Sequence, residues 1–198
     1  MTRKGTKAEG EAVAAILSEA GIECQPLTDD SATEQHLLAV QQPRVLHIAS
    51  HGFVLPNEES SDPMVRSGVM AAGFNRYLAL NDATATVTAL KLSGMQLRGT
   101  DVVVLSCCDT ARHDDRALST GMSHVSKALI QAGAKAVMAS LWPLNDQATV
   151  DLMKRFYAQW LDPQYPIAPA LALRQTKLNA IGNHIHPTLW APLVWVGW

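Results

Sequence analysis

The chain has 198 residues, 47% of them hydrophobic and 17% charged, which suits one globular domain with a sizeable core. A net charge of -2 and a pI of about 6.4 leave no electrostatic footprint for nucleic acid or an anionic membrane beyond the short basic start Arg3, Lys4 and Lys7, so neither partner is expected. No apolar run approaches the roughly 18 residues of a membrane span, and the polar start lacks the apolar core of a signal peptide. The three cysteines, Cys24, Cys107 and Cys108, are odd in number and lack CxxC spacing. That usage argues against a disulfide framework and for a reducing, cytoplasmic setting.

In chain order, residues 8–19 place Val13, Ile16 and Leu17 on one helical face, and Gly21 stops the helix. Residues 22–27 are a short strand candidate. Ser31-Ala-Thr-Glu34 has capping-box spacing and predicts a helix to about Val40, ended by Pro43. Arg44 to Ser50, RVLHIAS, is a nearly continuous apolar run of the kind a doubly buried strand requires, with His51 at its C-terminal edge. Residues 53–67 read as a polar loop and 67–73, SGVMAAG, as another strand. Thr88 caps a short helix to Ser93 that Gly94 terminates.

Asp101 to Ser106, DVVVLS, is the clearest strand, and Cys107 and Cys108 end it. A polar stretch, 109–119, leads into a helix over 120–132 stopped by Gly133, followed by the strand KAVMASLW. Asp146 is placed to cap a helix over 147–160, Pro169 suits the first turn of one running to Ile181, and Leu189 to Trp198 is a last strand that Pro192 assigns to an edge. Strands alternating with helices predict an α/β fold: three layers, a mainly parallel sheet flanked by helices, with ligands beyond the carboxyl ends of the strands.

Two of these strands end in residues with chemistry, His51-Gly52 and Cys108, and in a parallel sheet both ends share one edge. A thiol nucleophile needs a partner that holds it near the thiolate and protonates the leaving amine, and histidine titrates in the range both tasks require. Gly52, lacking a Cβ, leaves its N–H open to a substrate carbonyl, and with the Cys108 N–H it forms the expected oxyanion hole. Cys24 and Cys107 read as small buried hydrophobes, His47 as a core histidine, and His113, His124, His184 and His186 as surface or packing residues. His184-Ile-His186 with Cys24 lacks a fourth ligand at a standard spacing, so no metal is expected. Thioester chemistry needs no cofactor.

The segments LHIASHG (46–52), VVVLSCCDTA (102–111), GMSHVSKALIQAGAKAVMASLWPLND (121–146) and HPTLWAPLVWVG (186–197) resemble, in order, the CHAT family of caspase-like peptidases. The resemblance implies a caspase-type fold, a His–Cys dyad and, commonly, attached tetratricopeptide repeats. Against the family's L-S-A-C-E-T-G its nucleophile falls on Cys108, with Cys107 in place of the alanine, and against H-L-A-T-H-G its histidine falls on His51. The separation, 108 minus 51 or 57 residues, is near the roughly 50 of caspase signatures. Ala111 and Thr120 depart from the family's usual glycine and glutamate, and His113-Asp-Asp-Arg116 fills the loop between them.

The expected organisation is a single domain over 1–198 that corresponds to the C-terminal part of a full module, without the opening region and repeats. The expected function is cysteine endopeptidase action on a specific protein, with an activating protein partner or attached repeats. Substrate contacts fall on Ser106, two before the nucleophile, and on Trp142 and Asp146, in a segment similar to the family's substrate-side loop. Helix capping is the plainer role for Asp146. The alternative is a catalytically silent module that binds a partner in the same cleft. A redox sensor built on Cys107 and Cys108 is disfavoured by the missing CxxC.

Overall fold

A computed structural model describes residues 4–55, 61–74, 86–109, 115–142 and 146–197; of residues 4, 5, 108, 109, 115–120 and 146 it describes the backbone alone. These residues fall into two compact units, 27–143 with 194–198, and 2–26 with 144–193.

The first unit is built on a six-stranded sheet of order β3-β2-β1-β4-β5-β6. The strands are β1 (Val45–Val54), β2 (Ser67–Met70), β3 (Thr86–Thr88), β4 (Val102–Asp109), β5 (Ala136–Ser140) and β6 (Leu193–Gly197). β1, β4 and β5 run parallel, and β2 and β3 extend the sheet antiparallel. β6 lies at the edge, where Pro192 predicts it, although it begins at Leu193 rather than Leu189, which closes a 3-10 turn.

Alternation along β4 gives it two buried faces. Val103, Leu105 and Cys107 join Ile48, Val137 and Ala139 in a core with Ala89 and Leu92 of α4 (Ala89–Ser93) and Met122, Val125, Ala128 and Leu129 of α5 (Asp115–Gln131). Val102, Val104 and Ser106 point the other way and are equally buried. A sheet covered on both faces is what a three-layer, caspase-like α/β fold requires. Among the described residues this unit also holds α2 (Glu34–Leu38) and α3 (Pro63–Arg66). The Lys91 ammonium donates to both Glu34 carboxylate oxygens at 2.8 Å and to the Thr86 carbonyl at 3.1 Å, tying α2 to the β3–α4 corner.

Several expectations hold from local chemistry alone. Thr88 accepts from the Lys91 N–H to cap α4, Gly94 follows that helix, and Gly133 ends the α5 turn at φ +110°. Others need correction. Residues 22–27 form no strand: the Ile22 N–H closes α1 (Lys4–Glu19) on the Leu17 carbonyl while Gly21 N–H binds Ser18, a Schellman stop, and Pro26 has no N–H to give a ladder. Ser31 does not cap α2. Its hydroxyl closes the preceding 3-10 turn on Thr28, and Thr33 caps instead, accepting from His36 N–H at 3.2 Å. The loop predicted over 53–67 contains the end of β1 and all of α3, with 56–60 outside the described residues, and α5 begins at Asp115 rather than 120.

The second unit packs α1 and α7 (Pro169–Gly182) against α6 (Asp146–Trp160). Val13 and Leu17 are buried on α1 as the periodicity predicts, with Glu9 one turn earlier on the same stripe. Phe156, Tyr157 and Trp160 cluster with ring centroids 5.0 to 6.0 Å apart. Pro169 occupies the first turn of α7. Among the described residues no helix is long and apolar enough to cross a membrane.

At the N-terminal ends of the parallel strands, Asp101 accepts from Lys135 at 2.7 Å and from Arg44 at 3.2 Å, one cation preceding β5 and the other β1. The Lys135 bond, then Arg44, holds the carboxyl below its ordinary value of 3.8. A depressed folded-state pKa stabilises the fold above the unfolded value and is lost as pH falls through the folded one. Because both cations are more than half exposed, Asp101→Asn should cost only about 0.5–1 kcal/mol at pH 7. The difference from the parent should shrink as pH falls below 3.8 and vanish once the folded-state carboxyl is protonated, as read by urea unfolding across pH.

Candidate functional site

The hydrophobic run of β1 does not end at His51. Phe53 and Val54 are good strand formers, and β2 accepts them, pairing Phe53 with Gly68 and Val54 with Ser67, while β4 continues beside β1 as far as Gly52. His51 therefore lies inside β1, three residues before its end, which corrects its expected place at the strand edge.

The parallel β1–β4 register sets Ser50 beside Cys107, His51 beside Cys108 and Gly52 beside Asp109. Directly paired residues of a parallel ladder share a face, so positions 51 and 108 fall on one face of the sheet and Cys107 on the other. Cys107 is 2% exposed within the core beneath α4 and α5. Cys107 thus lies in a hydrophobic cluster, while the backbone of position 108 is in register with His51 on the neighbouring strand.

Gly52 is in register with Val69 on one side and Asp109 on the other. The two amides expected to bind an oxyanion, those of Gly52 and Cys108, therefore belong to residues within the ladder rather than beyond it. Ser106 is buried at 2% exposure and registers with Ala49. Trp142 is partly buried two residues past β5, at the same sheet edge as Cys108. Asp146 opens α6, in the other compact unit, and its side chain lies outside the described residues, as do 143–145 and Ala111, His113 and Asp114. The structure thus brings His51, Gly52, Ser106 and Cys108 together on neighbouring strands.

Two supports escaped the sequence reading. Ser140, ending β5, donates its hydroxyl to the Cys107 carbonyl at 3.0 Å, both groups buried. Phe53 lies over Gly68 and stacks on Phe74 with centroids 6.4 Å apart. Phe53 carried a signal, an aromatic two residues after His51-Gly52. Ser140 carried only its place at the end of an apolar strand.

Cys24 is not the buried hydrophobe expected but an exposed free thiol, because it lies in the irregular segment after α1; partial burial raises its pKa, which makes it a sluggish nucleophile. His186 Nδ1 is bonded to Thr188, and His36 Nδ1 to the Ser31 carbonyl. Among the described residues no group of three His, Cys, Asp or Glu is placed to hold a metal.

Among curated proteins, Tetratricopeptide repeat protein 28 of Mus musculus is 24% identical over 196 residues, covering 88% of this chain. The chain spans only 8% of that protein's length. The family model of the CHAT domain matches residues 2–198. A match over nearly the whole length, on an α/β sheet of this kind, makes the chain a member of the CHAT domain family, a caspase-like, protease-related group.

Proposed function

We propose that the chain is a cysteine endopeptidase cleaving a specific protein through His51 and Cys108. The observation that carries the reading is the β1–β4 register, which sets position 108 beside His51 and leaves Cys107 in the core. The Cys108 thiolate attacks the scissile carbonyl, and the resulting oxyanion takes hydrogen bonds from the N–H groups of Gly52 and Cys108. The C–N bond breaks as His51 protonates the leaving amine, leaving a thioester. Water, deprotonated by His51, then releases the acid and restores the thiol.

Labelling with a peptidyl thiol-reactive probe, followed by mapping of the modified cysteine, tests this. The expected adduct is on Cys108 and disappears in His51→Ala. Adducts confined to Cys24 would sink the proposal and favour a silent binding module.

The closed ladder at 51–52 and 108–109 motivates a second expectation. A substrate carbonyl reaches those amides only when the last β1–β4 rungs part, so turnover should need an activating partner. The similarity to a protein named for tetratricopeptide repeats supports such a partner, and an odd number of cysteines without CxxC spacing supports a cytoplasmic setting. Full constitutive turnover of short peptides by the isolated chain would contradict it.

The third expectation concerns specificity. Ser106 brings no charge to the pocket for the residue before the scissile bond, so a charged side chain there would be desolvated without compensation. Uncharged or bulky apolar residues should be preferred by about 100-fold. A peptide-library scan decides this. Strong selection for Arg or Lys, abolished by Asp146→Ala, would instead make Asp146 the specificity residue.

A further inference from the structure

The pairing of β4 with β5 stops at Leu105↔Ala139, yet β4 continues for four residues to Asp109 while β5 ends at Ser140. Beyond that point the Ser140 hydroxyl takes over, donating to the Cys107 carbonyl at 3.0 Å. Ser140 is 3% exposed and Cys107 2%, so this bond is shielded from competing water. The Cys107 carbonyl and the Cys108 N–H belong to one planar trans peptide and point in opposite directions. Holding the carbonyl toward β5 aims the N–H toward β1, the strand that carries His51 and Gly52.

We propose that Ser140 is a positioning residue that fixes the Cys107–Cys108 peptide so that the Cys108 N–H meets the oxyanion. The proposal rests on the peptidase reading and assigns a function to a side chain that touches neither dyad residue. When the β1–β4 rungs part for substrate, the β1 side of this peptide loses its partner. The Ser140 bond on the other side then keeps the plane from rotating. Without it the donor is present but unaimed, and a preorganised donor loses much of its value once it must reorient during the reaction.

The test compares two reactions of Cys108. Acylation by a peptidyl ester passes through an oxyanion, whereas alkylation by iodoacetamide displaces iodide at carbon and forms none. In Ser140→Ala the acylation rate should fall by about tenfold, while alkylation changes by less than about twofold. Ser140→Thr, which keeps the hydroxyl, should restore the parent ratio. Should Ser140→Ala fail to fold, Ser140→Cys, a weaker donor of similar size, should lower the same ratio to an intermediate value. A merely structural role would change thermal stability and leave the ratio alone, so an unchanged ratio in a folded variant overturns the inference. Absence of any acyl adduct on parent Cys108 would sink the peptidase reading and this inference with it. An acylated parent with an indifferent Ser140→Ala sinks the inference alone.

Discussion

Alanine at Cys108 or at His51 should each lower cleavage of a library-selected peptide by about 10⁴-fold or more, since loss of one member of a nucleophile–base pair disables the pair as a unit. Circular dichroism of both variants should match the parent, because neither substitution opens the core beneath α4 and α5. Cys107→Ala should behave in the opposite way. It removes a sulfur from a site 2% exposed, packed with Val103, Leu105 and Met122. The variant should lose about 1 kcal/mol of stability and retain cleavage. An inactive Cys107→Ala beside an active Cys108→Ala would place the nucleophile one residue earlier, on the other face of the sheet.

Gly68→Ala should cost about 3 kcal/mol, at the upper end for overpacking. Gly68 pairs with Phe53 on β1 and Thr88 on β3. A Cβ there would lie 2.8 Å from Phe53 Cζ and from the Thr88 Cα, and against the Val87 carbonyl. Two of those three obstacles are backbone, so the strain cannot be relieved by a rotamer. The Phe53 ring would have to lift, and Phe53 is two residues from His51, so activity should fall together with stability. Gly10→Ala is the contrast. A Cβ at Gly10, inside α1, meets nothing within 4 Å, so this change should stabilise by about 0.5–1 kcal/mol. Thermal melts of the two variants read both effects, and equal shifts would contradict the packing argument.

The contrast between these sites shows what could be read from sequence. β4 and β5 were legible because doubly buried parallel strands are nearly continuous apolar runs, and β1 reads the same way although only Ile48, Gly52 and Phe53 of it are fully buried. The caps at Thr88 and the stops at Gly21, Gly94 and Gly133 were legible because their chemistry is local. What failed depended either on partners distant in sequence or on a local competitor for the same group. β1 runs past His51 because β2 and β4 both accept it, and Ser31 is not a cap because Thr28 claims its hydroxyl. The pair Cys107-Cys108 is the sharpest case. Alternation fixes that the two positions face apart, but which one faces the helices depends on the phase of β4 against α5, and in the sequence only the strand-end position and the family resemblance bear on it. The bond from Ser140 to Cys107 depends on the β4–β5 register, which no spacing in the sequence encodes.

The ion cluster at Asp101 and the early end of the β4–β5 pairing lie at opposite ends of the same strands, and together they predict a gradient of local opening. At the N-terminal end the Asp101 amide donates to the Arg44 carbonyl, the Lys135 amide to the Thr100 carbonyl, and the Asp101 carboxylate binds both cations. At the other end the β5 side of β4 retains, past Leu105, the bond from Ser140. Amide hydrogen exchange should therefore be slowest for residues 102–105 and quicken toward 109, through partial fraying that leaves the rest of the sheet intact. The proposed catalytic chemistry would then sit at the end of β4 where local opening costs the fold least.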